Sequence, residues 1–302
     1  MAGTDIPEHP LEAIAERGQV VRDAILRAIF VGREDAVSGG LRLVEDVLDH
    51  EFHGGSYCRV TSGVRDVWSA ATSGMTAEEQ GGWAGCLLAD LISLAPMRLS
   101  GFAVPDSILP QFEMEFTRIL DGLESALPAD LNLDSDLFLN DLSLCRLDSF
   151  PCVVQVVEKN GRIPGKVLLN SLRQEFGVVL GLGFATGFRY APFFEIHTHP
   201  AISGGFNPAG WEQCYLLVAD LLELYPEYAG LVGSWGVFDP VLDRVSPDSA
   251  CLRELPQSGG ALLLPTGQSA AAEGKDKPTA WLMIWPRTQL RRWARRTKQK
   301  RF

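Results

Sequence analysis

Apolar positions in the first half of the chain recur every three to four residues, whereas in the second half they alternate or run together. From residue 8 to 53, Leu11, Ile14, Val21, Ile25, Leu26 and Ile29 keep helical spacing with charges between them. That pattern predicts an amphipathic helix. A second run, LRLVEDVLDHEF, stops at Gly54-Gly55, a helix-end signal. Helical spacing continues from 61 to 127 in pieces divided by prolines at 96, 105, 110 and 128. Thr76 and Glu79 precede an apolar run at the separation of a capping box.

From Ser143 the texture becomes β. SLCRLDSFPCVVQVVEKNGRIPGKVLLN reads as two or more strands with a turn at Lys159-Asn160-Gly161, and RQEFGVVLGLGFATG as a Gly-interrupted helix. Residues 190–199 then form a strand. Asn207 and Pro208 supply an N-cap and a first-turn proline for a helix over AGWEQCYLLVADLLELYP, and AGLVGSWGVFDP is the next strand. Connections this short predict a parallel βαβ unit. A short helix near Ser249–Glu254, a strand GGALLLP, a polar loop, a strand TAWLMIWP and a basic end complete the chain. The expected fold class is α+β or α/β, with an N-terminal helical layer followed by a mixed sheet. Its parallel βαβ unit uses strands near 190–199 and 229–238. The expected organisation is a helical subdomain over 1–142, an α/β domain over 143–286 carrying the site, and a basic C-terminal tail over 287–302.

Composition narrows the class. The 302 residues are 46% hydrophobic and 22% charged, the balance of a globular protein. No apolar run approaches the roughly 20 residues that span a bilayer. The first residues lack the basic-then-apolar order of a signal peptide, so a cytoplasmic location is expected. The six cysteines form no C-x-x-C pair, which argues against a zinc ribbon or a thioredoxin-type motif. The net charge of −11 is unevenly spread: residues 287–302 carry eight Lys or Arg and no acid, leaving −19 on the rest. An acidic body argues against nucleic-acid binding by the main fold. The tail sets Leu290, Trp293 and Ala294 against arginines 291, 292, 295 and 296. It is expected to pair with the acidic body or to make weak contact with an anionic surface.

The chemistry concentrates in FFEIHTHP, residues 193–200. In a strand, Glu195, His197 and His199 share one face. Parallel strands finish on one edge of the sheet, where open α/β proteins bind ligands. This would align His197, His199 and Asp239 along one crevice, beside the helix start and Glu212. The expectation is a small-molecule-modifying enzyme with its site at the C-terminal end of the 193–199 strand. Glu195, His197 and Asp239 are the candidate catalytic groups. His197, His199 and Asp239 are candidate ligands for zinc or iron, with Glu212, His50 and His53 as further candidates. Glu195 and His199 lie about 13 Å apart along a strand, which makes Glu195 a base or an orienting group rather than a ligand. Asp130, Asn132, Asp134, Asp136 and Asp141 fall on calcium-loop positions, with Ser135 where the turn wants glycine.

Family likenesses are partial. EIHTH resembles the D-x-H-x-H opening of amidohydrolase barrels, but no histidine follows His199. HTHP resembles the JAMM metalloprotease motif, but Pro208 and Trp211 stand where its serine and aspartate belong. The order of strand with carboxylate and histidine, helix, strand and final strand pair resembles the acyl-CoA-dependent N-acetyltransferase (GNAT) arrangement. That resemblance implies an acyl-CoA cofactor, with Glu195 or His197 as the base that deprotonates an amine. It also implies pyrophosphate contacts near Gly205 and Asn207 at the helix start. The loop lacks the family's R/Q-x-x-G-x-G/A pattern. A non-catalytic binding or assembly protein, with both histidines hydrogen-bonded at a sheet edge, is the remaining reading.

Overall fold

The computed structural model describes residues 10–51, 60–125, 131–163, 191–201, 207–241, 244, 246, 248, 250–266 and 281–301. The chain divides into two compact units, Met1–Pro151 and Cys152–Phe302.

In the first unit the helices are α1 (Pro10–Ile29), α2 (Glu34–Glu51), α3 (Ser62–Ala71), α4 (Ala77–Ser93), α5 (Ala95–Ser100), α6 (Leu109–Ser125) and α7 (Asp136–Cys145), the last taking Ser143–Cys145, which the pattern assigns to the β half. The centre is α4, in which Trp83, Cys86, Leu87, Leu88, Leu91 and Ile92 are all buried, so that it is apolar around its whole circumference. It opens with the capping box. The Thr76 amide donates to Glu79 Oε2 (2.7 Å), and the Glu79 amide donates to Thr76 Oγ1 (3.2 Å). The apolar stripe of α1, Leu11, Val21, Ile25 and Leu26, is buried, and the helix packs chiefly on α4 and α6. Two glycines let α1 and α4 approach closely. A Cβ on Gly18 would stand 2.8 Å from the Ala89 carbonyl oxygen, and one on Gly82 would stand 2.6 Å from Ile29 Cδ1.

Asp130 lies outside the described residues, and the described residues at calcium-loop spacing lead into a helix instead. Ser135 caps α7, Asp136 opens it, and Asn132 Oδ1 accepts from the Asp134 amide. Asp141 is buried and pairs with Arg118, which also binds Glu115 (2.8 Å). Helix formation takes the carboxylates at positions 7 and 12 in directions that a loop would not.

The second unit holds a six-stranded mixed sheet. Its strands are β1 (Ser149–Cys152), which straddles the unit boundary, β2 (Gln155–Gly161), β3 (Phe193–His197), β4 (Gly230–Trp235), β5 (Leu262–Pro265) and β6 (Trp281–Pro286). The order is β1-β2-β3-β4-β6-β5. β3 and β4 are parallel, whereas β2–β3, β4–β6 and β5–β6 are antiparallel. The crossover between the parallel strands is α8 (Pro208–Leu224), with Asn207 as N-cap and Pro208 in the first turn, as expected. Then come a 3-10 turn (Gly236–Phe238), α9 (Ala250–Ser258) and, after β6, α10 (Arg287–Lys300). The stretch expected to be a Gly-interrupted helix, 173–187, lies outside the described residues.

Alternation assigns each strand residue a face. Phe194, Ile196, Leu231, Gly233, Met283 and Trp285 look toward α8 and α10. Tyr215 of α8 reaches Met283 Sδ (3.9 Å), and its ring centroid lies 5.0 Å from that of Trp285 and 6.3 Å from that of Trp293. On the reverse face Phe193, Val232, Leu264, Leu282 and Ile284 form a buried cluster. The basic tail is therefore a packed element of this unit. Leu290, Trp293 and Ala294 are buried, and Arg291, Lys298 and Arg301 pair with Glu223, Asp220 and Glu212 of α8.

The glycines of the helical unit give a prediction of opposite signs. Gly39, in α2, is exposed, and a Cβ added there would meet nothing within 4 Å, so Gly39→Ala should stabilise by about 0.5–1 kcal/mol. Gly18→Ala gains a similar propensity term, but its methyl meets a fixed carbonyl, an overpacking that costs about 1–3 kcal/mol. A net loss is expected, and denaturant midpoints of the two variants check both signs.

Candidate functional site

The parallel register of β3 and β4 runs through Phe194↔Leu231 and Glu195↔Val232 and goes no further, although β3 continues to His197 and β4 to Trp235. A cavity of about 160 Å³ opens at this point, lined by Gln155, Ile196, Thr198, Gly233, Ser234, Trp235 and Phe238. It lies on the helix-bearing face at the C-terminal edge of the parallel pair. The α8 residue Trp211 stacks near Trp235, with centroids 6.4 Å apart. Gly233 keeps the space open, since a Cβ there would come within 2.6 Å of Ile196 Cγ1. Gln155 is 1% exposed, and its amide meets the Thr198 hydroxyl at 3.3 Å. The lining thus mixes four apolar residues with three polar ones, Gln155, Thr198 and Ser234, groups able to orient a small ligand.

On the reverse face, at the same level, lies a second group. Antiparallel pairing puts Glu158 of β2 directly opposite Glu195 of β3, and like charges so placed repel. His197, two residues along the same face as Glu195, brings Nε2 to 3.2 Å from Glu158 Oε2 and 4.0 Å from Glu195 Oε1. Burial alone would push the imidazole pKa down. The hydrogen-bonding and charge of Glu158, with the charge of Glu195, outweigh it, and the pKa is raised above 6.5. An imidazolium between two carboxylates is the arrangement this favours.

The other expected site residues go elsewhere. His199 has left the strand, is 1% exposed, and its Nδ1 accepts from the Ala201 amide (3.1 Å). Asp239 follows the 3-10 turn, is buried, and its Oδ1 accepts from the Val241 amide (2.9 Å). Both side chains thereby organise turns. The strands end two and three residues earlier than the pattern implies, so alternation no longer carries His199 onto the face of His197. Asn207 Oδ1 accepts from Gly210 within α8 (3.0 Å), and Glu212 pairs with Arg301 (2.5 Å). Gly205, His53 and the His50 side chain lie outside the described residues. Among the described residues no three His, Cys, Asp or Glu side chains are grouped to hold a metal ion. The donor set expected for zinc or iron does not fit what the fold assembles.

Gln155, Thr198, Trp235 and Phe238 stand outside the set of site residues the sequence suggests, and so does Glu158 as the partner of His197. A lone glutamine inside CVVQVV is the available signal, because a polar residue in an apolar strand core asks for a reason. The pairing of Glu158 with His197 has none, because it depends on register. No protein-family model, curated protein or solved structure matches the chain.

The raised His197 pKa has a definite sign for stability. Its contribution is full below the unfolded value near 6.5 and is lost as pH rises through the folded value. His197→Gln should therefore cost about 1–2 kcal/mol between roughly pH 5 and 6.5 and much less at higher pH. Thermal melts of both proteins across that range test it; an unchanged difference at all pH values would contradict the ion-pair account.

Proposed function

We propose that the second unit is an acyl-CoA-dependent N-acyltransferase of GNAT-like arrangement, acting on an amine-bearing small molecule. The observation that carries this reading is the cavity at the C-terminal edge of the parallel β3–β4 pair, within the strand, helix, strand and final-pair order on which the resemblance rests. Beyond Glu195 and Val232, among the described residues, no register pair joins the two strands. The pantetheine arm of coenzyme A is a narrow chain bearing two amides, able to bond strand edges as an added strand does. A space of about 160 Å³ is below the roughly 300–1,000 Å³ of a site enclosing a whole drug-sized ligand. It suits the acyl end of the carrier, with the remainder extending outward.

In this reading the acyl carbonyl sits at the sheet edge beyond the ends of β3 and β4, where it is approached from either face. Ile196 lines the cavity, and the next residue, His197, faces the reverse side, where the acceptor would stand. The acceptor nitrogen attacks the thioester carbonyl carbon; its N–C bond forms and the C–S bond breaks. The amine proton passes to the neutral His197 imidazole, and coenzyme A leaves as a thiolate that takes a proton from solvent. Glu158 and Glu195 hold the imidazolium so formed. Base catalysis requires the neutral imidazole, so the rate should rise with pH through the raised His197 pKa.

Titration with acetyl-CoA and longer acyl-CoAs, followed by calorimetry and thermal shift, is the direct test. Binding is expected, and Gly233→Ala should weaken it at least tenfold by pushing Ile196 into the cavity. No response to any acyl-CoA would sink the reading. Glu158→Gln removes the larger of the two carboxylate influences that raise the His197 pKa, so the acid limb of the pH–rate profile should move to lower pH. An NMR titration of His197 reports the same shift without a substrate.

A further inference from the structure

The cations of α10 fall into two rows. Arg291, Lys298 and Arg301 lie along α8 and are matched by Glu223, Asp220 and Glu212 at 3.1, 2.6 and 2.5 Å. Arg292, Arg295, Arg296 and Lys300 occupy the opposite arc. All four are exposed, and among the described residues none of them pairs with an acid. The helix needs only the first row to hold it to the acidic α8, since Leu290, Trp293 and Ala294 already anchor its inner side. The second row leaves four unneutralised charges along about 12 Å of helix, in a protein whose net charge is −11.

We infer that this outer row is a docking surface for an anionic lipid bilayer, held by electrostatics alone. Insertion is not part of it: the apolar side of α10 is buried in the fold, and Trp293 is 6% exposed, so neither apolar wedge nor aromatic anchor reaches the interface. The choice of a flat surface over nucleic acid comes from the neighbouring row. Glu223 keeps a side-chain exposure of 52% and Glu212 of 32%. A groove that wrapped the helix would press its flanking phosphates toward those acids, whereas a flat bilayer touches the crest only. Fields fall off over about 8 Å at physiological ionic strength, so the acidic body behind the helix is largely screened from headgroups at the crest. Arginine, three of the four, also offers a planar donor fork to phosphate.

The test uses the full chain with vesicles of phosphatidylcholine alone and of phosphatidylcholine mixed with phosphatidylserine, read by co-sedimentation. Binding to the anionic vesicles only, falling steeply with added salt, is expected. Each cation removed should weaken it roughly fivefold, so the quadruple variant Arg292→Gln, Arg295→Gln, Arg296→Gln, Lys300→Gln should lose several hundredfold. These side chains are exposed, and an unchanged melting curve would verify that the variant is folded. The control Arg291→Gln, Lys298→Gln should lower the melting temperature and weaken vesicle binding far less per charge. Equal binding by the quadruple variant, equal binding to neutral vesicles, an equal per-charge loss in the control, or tighter binding to duplex DNA than to anionic vesicles would each overturn the proposal.

Discussion

Two parallel strands joined by a helix must finish on one edge of their sheet, and in this protein the ladder between them stops before the strands do. Pairing ends at Glu195 and Val232, while β3 runs to His197 and β4 to Trp235. The cavity lies at that edge, lined by Ile196 of β3 and Gly233, Ser234 and Trp235 of β4, and α8 covers the same face because a crossover helix must lie on the sheet it connects. Gly233 keeps Ile196 from filling the space.

The same edge carries an electrostatic constraint on its other face. Antiparallel register forces Glu158 and Glu195 opposite one another, and His197 stands within reach of both. Two carboxylates in adjacent strands are tolerable when a cation lies between them, and an imidazole is a cation only over part of the accessible pH range. Under the proposed base role, structure and reactivity meet at one residue. The protonated form favours the fold, whereas the neutral form is the one a proton acceptor needs.

Charge is distributed by the same rule of local pairing. The most basic segment of the chain packs beside α8, whose outward acids it neutralises along one row. In the helical unit, Arg118 is held between Glu115 and Asp141 in the same way, a charge kept near the interior by two partners. In each case the fold brings a cation beside a carboxylate distant from it in sequence.

Much of this architecture is legible in periodicity. The 3.6-residue spacing of Leu11, Val21, Ile25 and Leu26, the Thr76–Glu79 box, the Asn207-Pro208 helix start and the alternation in the β half each depend on neighbours in sequence, and each appears as expected. The parallel pairing of the strands around α8 is also readable, because a short crossover leaves few alternatives. What tertiary structure alone decided is where strands end and which residues oppose each other. His199 and Asp239 share the chemistry of a ligand set in sequence, but turns claim them both, since a side-chain hydrogen bond two residues away is available before any distant partner is. Glu158 meets His197, and Gln155 meets Thr198, through a register that links positions about forty residues apart in sequence. Register is set by how whole faces bury their apolar residues, and no local pattern encodes it.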